Sequence, residues 1–276
     1  MFGRRDLASR LKKLGVEAEL DSNRDIIGAS FLQCEDPLSA LRLLVEERAL
    51  KVRSIDLTMR GSAAALACLG AFPLLETLNL SMCRELSGPD LRPLAALRNL
   101  KDLRLDGTKV GNEGLKHLNG LDLRALSLGP SLVDVDGLIE LGTLRNLEKL
   151  QFYGNDIGDD GLARLASFPR LQELIVCDGS ISDDGLEELK VLQELRDLNV
   201  GDNPDVGDKG MKYVGTMETL EDLGIYKTGV SDRGLKDLAG LKRLKSLNCM
   251  ETRVTREGIG SLQKLLPGCK IDSPFF

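Results

Sequence analysis

The sequence predicts an α/β solenoid: stacked units of one short strand and one short helix, with the strands side by side in a parallel sheet. A phrase with apolar residues at its first, fourth and sixth places recurs along most of the 276 residues. A second phrase, glycine followed by an apolar residue and another three places on, comes later in each unit. The composition suits such a chain: 42% hydrophobic and 29% charged residues supply a core without a disorder signature.

The first phrase is "LETLNL" from Leu75, "LKDLRL" from Leu100, "LRALSL" from Leu123 and "LEKLQF" from Leu147. It continues as "LQELIV" from Leu171, "LRDLNV" from Leu195, "LEDLGI" from Leu220 and "LKSLNC" from Leu244. "VRSIDL" from Val52 opens the series and "LPGCKI" from Leu266 closes it. The fourth residues, from Ile55 and Leu78 through Leu247 to Cys269, are 22 to 25 places apart, too regular for chance. The alternation inside the phrase is that of a half-buried strand. The second phrase, as in Gly114-Leu115-Leu118, Gly137-Leu138-Leu141, Gly161-Leu162-Leu165 and Gly234-Leu235-Leu238, has helical spacing. One such unit cannot bury its apolar face, but stacked copies bury a continuous one.

Over residues 52–271 the chain resembles the leucine-rich repeat family. The "VSDRGL" form is similar to a bacterial subtype close to the cysteine-containing repeats of ubiquitin-ligase adaptors. The resemblance implies a horseshoe with the parallel sheet on its concave face and short helices on its convex face. It also implies that position nine of each repeat bonds neighbouring backbone turns. Cys83, Thr108, Ser131, Asn155, Asn203, Thr228 and Thr252 hold suitable groups there, while Arg60 and Gly179 depart from the pattern and predict a weaker ladder.

Residues 1–50 lack the full phrase and are expected to form a cap merged with a degenerate first repeat. A helix over 5–14, a strand pair near 16–21 and 26–31 and a helix over 37–49 follow from the spacing. Repeats then occupy 51–271, and a tail, 272–276, folds Phe275 and Phe276 over the last edge.

Several functions are disfavoured. A net charge of −6 and a pI near 5.1 oppose nucleic-acid binding, which draws its affinity from Lys and Arg. No apolar run spans a bilayer. The first residues, "MFGRRDLASRLKKLG", have no continuous apolar stretch of the secretory kind. They are Arg-rich like a mitochondrial transit peptide, although Leu7, Leu11 and Leu14 equally suit the inner stripe of a capping helix. Six scattered cysteines without CxxC spacing suit reduced thiols and a cytoplasmic setting.

The acids that recur before each helix, such as Asp183 and Asp184 after Ser182, Asp232 after Ser231 and Glu257 after Thr255, suit helix capping and the helix dipole. "DNPDVGDKG" from Asp202 comes nearest to a calcium loop but lacks the terminal bidentate Glu. The lone histidine, His117, is expected on or near the solvent side of its helix, with no nucleophile constellation around it. No cofactor motif is present, so neither a metal, a cofactor nor a catalytic residue is expected. An enzyme would instead need a convergent polar pocket where the cap meets the repeats.

Function is therefore expected on the concave sheet, where strand positions three, five and seven point outward. In the first half these are small and polar. In the second half they include Tyr153, Ile175, Cys177, Tyr226 and Met250, with Gln151 and Asn199 beside them. Gly201 and Gly224 are expected to leave hollows between the two tyrosines, and Glu173, Asp197 and Asp222 to form an acidic stripe alongside. Tyrosine supplies large, rigid contact area with a polar tip. The expected function is a non-enzymatic scaffold that binds a partner protein carrying a basic or amphipathic segment. The alternative is a substrate-recognition adaptor of a larger enzyme assembly, ubiquitin-ligase-like or a bacterial effector.

Overall fold

The computed structural model describes residues 3–275, so the expectation for Phe276 lies outside the described residues. The chain forms two compact units, Met1–Leu132 and Val133–Phe276.

The first unit opens with α1 (Gly3–Lys13), which buries Leu7 and Leu11, whereas Leu14, expected in the same stripe, lies beyond the helix and is exposed. β1 (Glu17–Leu20) and β2 (Ile26–Ser30) form an antiparallel hairpin. Asp21 Oδ1 holds its turn by accepting from the N–H groups of Asn23 and Asp25. α2 (Pro37–Glu46) starts on Asp36, whose carboxylate accepts from Ser39 N–H, and on a proline that has no N–H to leave unpaired. From β2 onward the pairing is parallel: β3 (Ser54–Asp56) is followed by α3 (Ala63–Cys68), β4 (Thr77–Asn79), β5 (Asp102–Arg104), α4 (Gly111–Leu115) and β6 (Ala125–Ser127). Ile55, Leu78, Leu103 and Leu126 align across the register and are buried. Between β4 and β5 the helix is replaced by a 3₁₀ stretch, Gly88–Ala96, which contains Pro93; proline removes a helical donor and clashes with the preceding turn.

The second unit alternates α5 (Val135–Glu140), β7 (Lys149–Gln151), α6 (Gly158–Leu165), β8 (Glu173–Ile175), α7 (Asp183–Glu188) and β9 (Asp197–Asn199). It continues with α8 (Asp208–Val214), β10 (Asp222–Gly224), α9 (Asp232–Asp237), β11 (Ser246–Asn248), α10 (Arg256–Leu265) and β12 (Lys270–Asp272). Its strands are parallel neighbours in chain order, with Leu150, Leu174, Leu198, Leu223 and Leu247 in one buried row that Ile271 completes in place of the expected Cys269, the last phrase being shifted by two residues. Beyond β12, the Arg256 guanidinium stands 5.9 Å from the centre of the Phe275 ring, which is half-buried.

The recurrent acids prove to join repeats as well as to sit at helix starts. Ser182, Ser231 and Thr255 each cap their own helix. In addition, Asp208 at the start of α8 accepts from the N–H and hydroxyl of Ser231 at 2.8 and 2.7 Å and from Gly234 N–H at 3.0 Å, all in the next repeat. Asp159 does the same for Ser182, Asp232 for Thr255, and Asp183 for the N–H groups of Gly207 and Gly210. Burial opposes ionisation of Asp208, but the bonds from Ser231 and Gly234 outweigh it and hold the carboxyl below the ordinary aspartate range. This arrangement also explains the helical glycine: a Cβ on Gly234 would stand 2.6 Å from Asp208 Oδ1, which leaves no room for the carboxylate.

A second ladder runs through position nine. Asn203 Nδ2 donates to the carbonyls of Val176, Val200 and Gly201, and its Oδ1 accepts from the N–H groups of Gly179 and Ile181. Cys83 Sγ donates to Leu57 O and accepts from Gly61 N–H, both at 3.1 Å. The weaker ladder expected at Arg60 and Gly179 is thus compensated, because the side chain of the following repeat reaches back to those turns. His117 differs from its expected place: it is half-buried, and its Nε2 is buried without a hydrogen-bond partner.

Candidate functional site

On the open face of the second unit the parallel register stacks like positions in rows. Lys149, Glu173, Asp197, Asp222 and Ser246 form one row, and Gln151, Ile175, Asn199, Gly224 and Asn248 the next. Tyr153, Cys177, Gly201, Tyr226 and Met250 follow in the residues just beyond the strands. The sheet therefore brings all ten predicted residues onto one side of one unit.

They are not equally accessible. Tyr153 is 51% and Met250 38% exposed. Ile175, Gln151, Asn199 and Tyr226 are half-buried. Cys177 is only 2% exposed, which removes it from the contact surface. The reason is Tyr226: its hydroxyl lies 3.3 Å from Cys177 Sγ and its ring occupies the space where a Gly201 side chain would stand. The expected hollows are consequently filled. Tyr226 covers Gly201, and Asn199 leans over Gly224, where an added Cβ would come within 2.5 Å of Asn199 Oδ1. Instead of cavities, the glycines give flatness, letting an aromatic ring and an amide lie down along the sheet. Burial raises the Tyr226 hydroxyl above the ordinary tyrosine range, as does its bond to Cys177. Burial also raises the Cys177 thiol, and the bond from Tyr226 opposes that only in part, so this thiol is an inert support.

The acidic stripe is likewise unequal. Glu173 is engaged, accepting from Lys149 Nζ at 2.7 Å and Gln151 Nε2 at 2.8 Å. Its register neighbours Asp197 and Asp222 have no ion pair or hydrogen bond to their carboxylates among the described residues. Desolvation, the neighbouring Glu173 and then Asp222 push Asp197 up to about 6; the Lys149 charge opposes this. The sequence did not reveal that Lys149 neutralises one end of the stripe, although its register with Glu173 follows from the 24-residue repeat. At the other side of the tyrosines, Lys227 pairs with Asp202 at 3.0 Å.

The open face of the first unit is occupied by its own hydrogen bonds. Asp106 accepts from Ser127 Oγ at 2.5 Å, Gly129 N–H at 2.8 Å and Ser81 Oγ at 3.3 Å. Asp56 accepts from the N–H and hydroxyl of Thr58, and Asn79 from Ser81 N–H.

Among the described residues no cluster of three or more His, Cys, Asp or Glu is placed to hold a metal ion, and no helix is long and apolar enough to cross a membrane. The sequence matches the family described as "Leucine-rich repeat region" over residues 51–256. The chain belongs to the leucine-rich repeat family. Among solved structures it is similar to an internalin C2 of Listeria monocytogenes, with a TM-score of 0.61 and 18% identity over 87% of this chain and 92% of that one. Another internalin of Listeria monocytogenes gives 0.59 and 21% over 85% and 70%. A leucine-rich repeat protein of Leptospira interrogans gives 0.52 and 19% over 83% and 62%. At these identities the likeness is one of fold. No curated protein matches the sequence.

Proposed function

We propose that this chain is a non-enzymatic scaffold that binds a partner protein through the open sheet face of its second unit, with residues 1–50 serving as the cap of the stack. The observation that carries the reading is that one sheet face presents exposed Tyr153 and Met250 at one end of its strands and the unpaired carboxylates of Asp197 and Asp222 at the other. Apolar area and uncompensated charge on one face suit an extended segment with an apolar anchor and, a few residues away, a Lys or Arg. The anchor displaces water from the tyrosines, and the cation relieves the repulsion within the stripe. The six unpaired thiols support a cytoplasmic setting as part of this proposal.

The test is affinity purification with mass spectrometry, using wild-type chain and the Tyr153→Ala/Tyr226→Ala variant as paired baits. A partner recovered by the wild type should be lost from the variant, with circular dichroism showing an intact fold. Equal recovery by both baits would move the binding site off this face.

A further inference from the structure

Within its N-terminal cap, the first unit holds a cavity of about 340 Å³, within the size range of small-molecule sites. Leu7 of α1 and Ile26 of β2 lie on its apolar side, together with Ala49 and the exposed Leu50 from the turn after α2. Its polar side has an unequal charge balance. Asp25, 8% exposed, is paired with Lys51 Nζ at 2.6 Å, and Glu47 with Arg10 Nη1 at 2.6 Å. Both carboxylates on the walls therefore already have cations. Arg24 and Arg48 also line the cavity, and neither guanidinium has an ion pair or hydrogen bond among the described residues.

Both arginines are exposed residues of turns beside this recess. Both hold left-handed backbone, with φ of 63° and 52°, a conformation that costs a non-glycine residue roughly 1–2 kcal/mol. The turn from Asp21 to Asp25 and the turn after α2 thus place two arginines with no ion pair among the described residues on the wall of one recess, in a protein whose net charge is −6. A guanidinium offers a planar fork of donors that matches carboxylate and phosphate oxygens. No serine, cysteine or histidine lies among the described residues of the walls, and the Lys51 amine there is held as a cation by Asp25.

We propose that this cavity binds a small organic oxyanion, a carboxylate or phosphate monoester with a compact apolar body, held at its charged end by Arg24 and Arg48. The apolar body rests on Leu7, Ile26 and Leu50. The site is independent of the sheet face in the second unit.

Isothermal titration calorimetry on the full chain tests it, with inorganic phosphate, phenyl phosphate, acetate and benzoate as probes at matched ionic strength in chloride. Phenyl phosphate or benzoate should bind saturably, at least tenfold more tightly than inorganic phosphate or acetate respectively. The stronger of the two organic probes assigns the headgroup. Arg24→Gln with Arg48→Gln should weaken that binding at least tenfold, and Arg24→Lys with Arg48→Lys should recover part of it. Leu50→Ser, on the exposed wall, should weaken the organic probe and leave its inorganic or short-chain counterpart unchanged. The proposal is overturned by any of three results: no saturable binding to the wild-type chain, equal binding by the folded glutamine variant, or no preference for the organic probes.

Discussion

The two units solve the same local problem in different ways. In each, a glycine at the seventh repeat position makes room for the side chain of a neighbouring repeat. At Gly129 the guest is the Asp106 carboxylate, which accepts the glycine's own N–H and two serine hydroxyls. At Gly201 the guest is the Tyr226 ring, which makes one bond to a buried thiol and keeps part of its surface exposed. The first face satisfies its own polar groups across three repeats and leaves a partner little to gain. The second face leaves Asp197 and Asp222 without an ion pair or hydrogen bond among the described residues, on the same side of the sheet as exposed aromatic area. An unsatisfied group costs stability unless something else engages it, so the difference separates a face built for cohesion from one suited to recognition.

The largest expected effect lies on the cohesive face. Asp106→Ala removes three hydrogen bonds to a charged acceptor and should lower the unfolding free energy by about 2–3 kcal/mol, measured by urea denaturation, without changing capture of a partner by the second unit. A loss of capture at unchanged stability would invert the assignment of the two faces. Tyr226→Ala comes next, at about 1–2 kcal/mol, because the ring covers Gly201 but is itself only half-buried. Its sharper signature is chemical. With the ring gone, Cys177 becomes accessible and its thiol pKa returns toward the ordinary value. Mass-spectrometric mapping after a brief pulse of a thiol reagent should then show Cys177 labelled, whereas in the wild type it stays protected. Protection that persists in the variant would mean that something other than Tyr226 shields the thiol.

The fold was legible because its signals are periodic. The apolar row Leu150 to Leu247 and the caps Ser182, Ser231 and Thr255 sit where the repeat phrase places them, and only the last strand departs, with Ile271 in the place expected for Cys269. What one sequence could not display is the direction in which a side chain leans. Asp208 reaches forward to Ser231 and Gly234, so an acid that suited its own helix dipole is equally a bond to the next helix. Tyr226 leans back over Gly201, so an expected hollow is filled and Cys177 is hidden. Position within a repeat fixes which face a residue occupies. Rotamer choice between neighbouring repeats depends on both partners at once, and the glycine beside each guest is the trace of it in the sequence. The cap cavity left still less of a trace, since Arg24 and Arg48 stand in turns outside the period.

The smallest expected effect tests whether the uncompensated charge on the second face is kept at the expense of stability. Asp197 titrates near 6 in the folded chain, because desolvation and the charges of Glu173 and Asp222 outweigh Lys149, against about 4 in an unfolded chain. A raised folded pKa means that the group's favourable contribution to folding is fully present below about pH 4 and is lost as pH rises through 6. Above that pH the ionised carboxylate is a net cost of about 1 kcal/mol after solvent screening. Asp197→Asn should therefore stabilise the chain by about that amount at pH 7.5, with the gain vanishing below pH 4. Binding has the opposite sign. A cationic partner prefers the ionised carboxylate, so wild-type affinity should fall as pH drops through 6, while the asparagine variant binds more weakly at pH 7.5 and loses that component of the pH dependence. Denaturation and binding curves over the same pH range separate the two effects. A variant that is more stable and binds as tightly as the wild type would remove Asp197 from the recognition surface and leave the second face with its tyrosines alone.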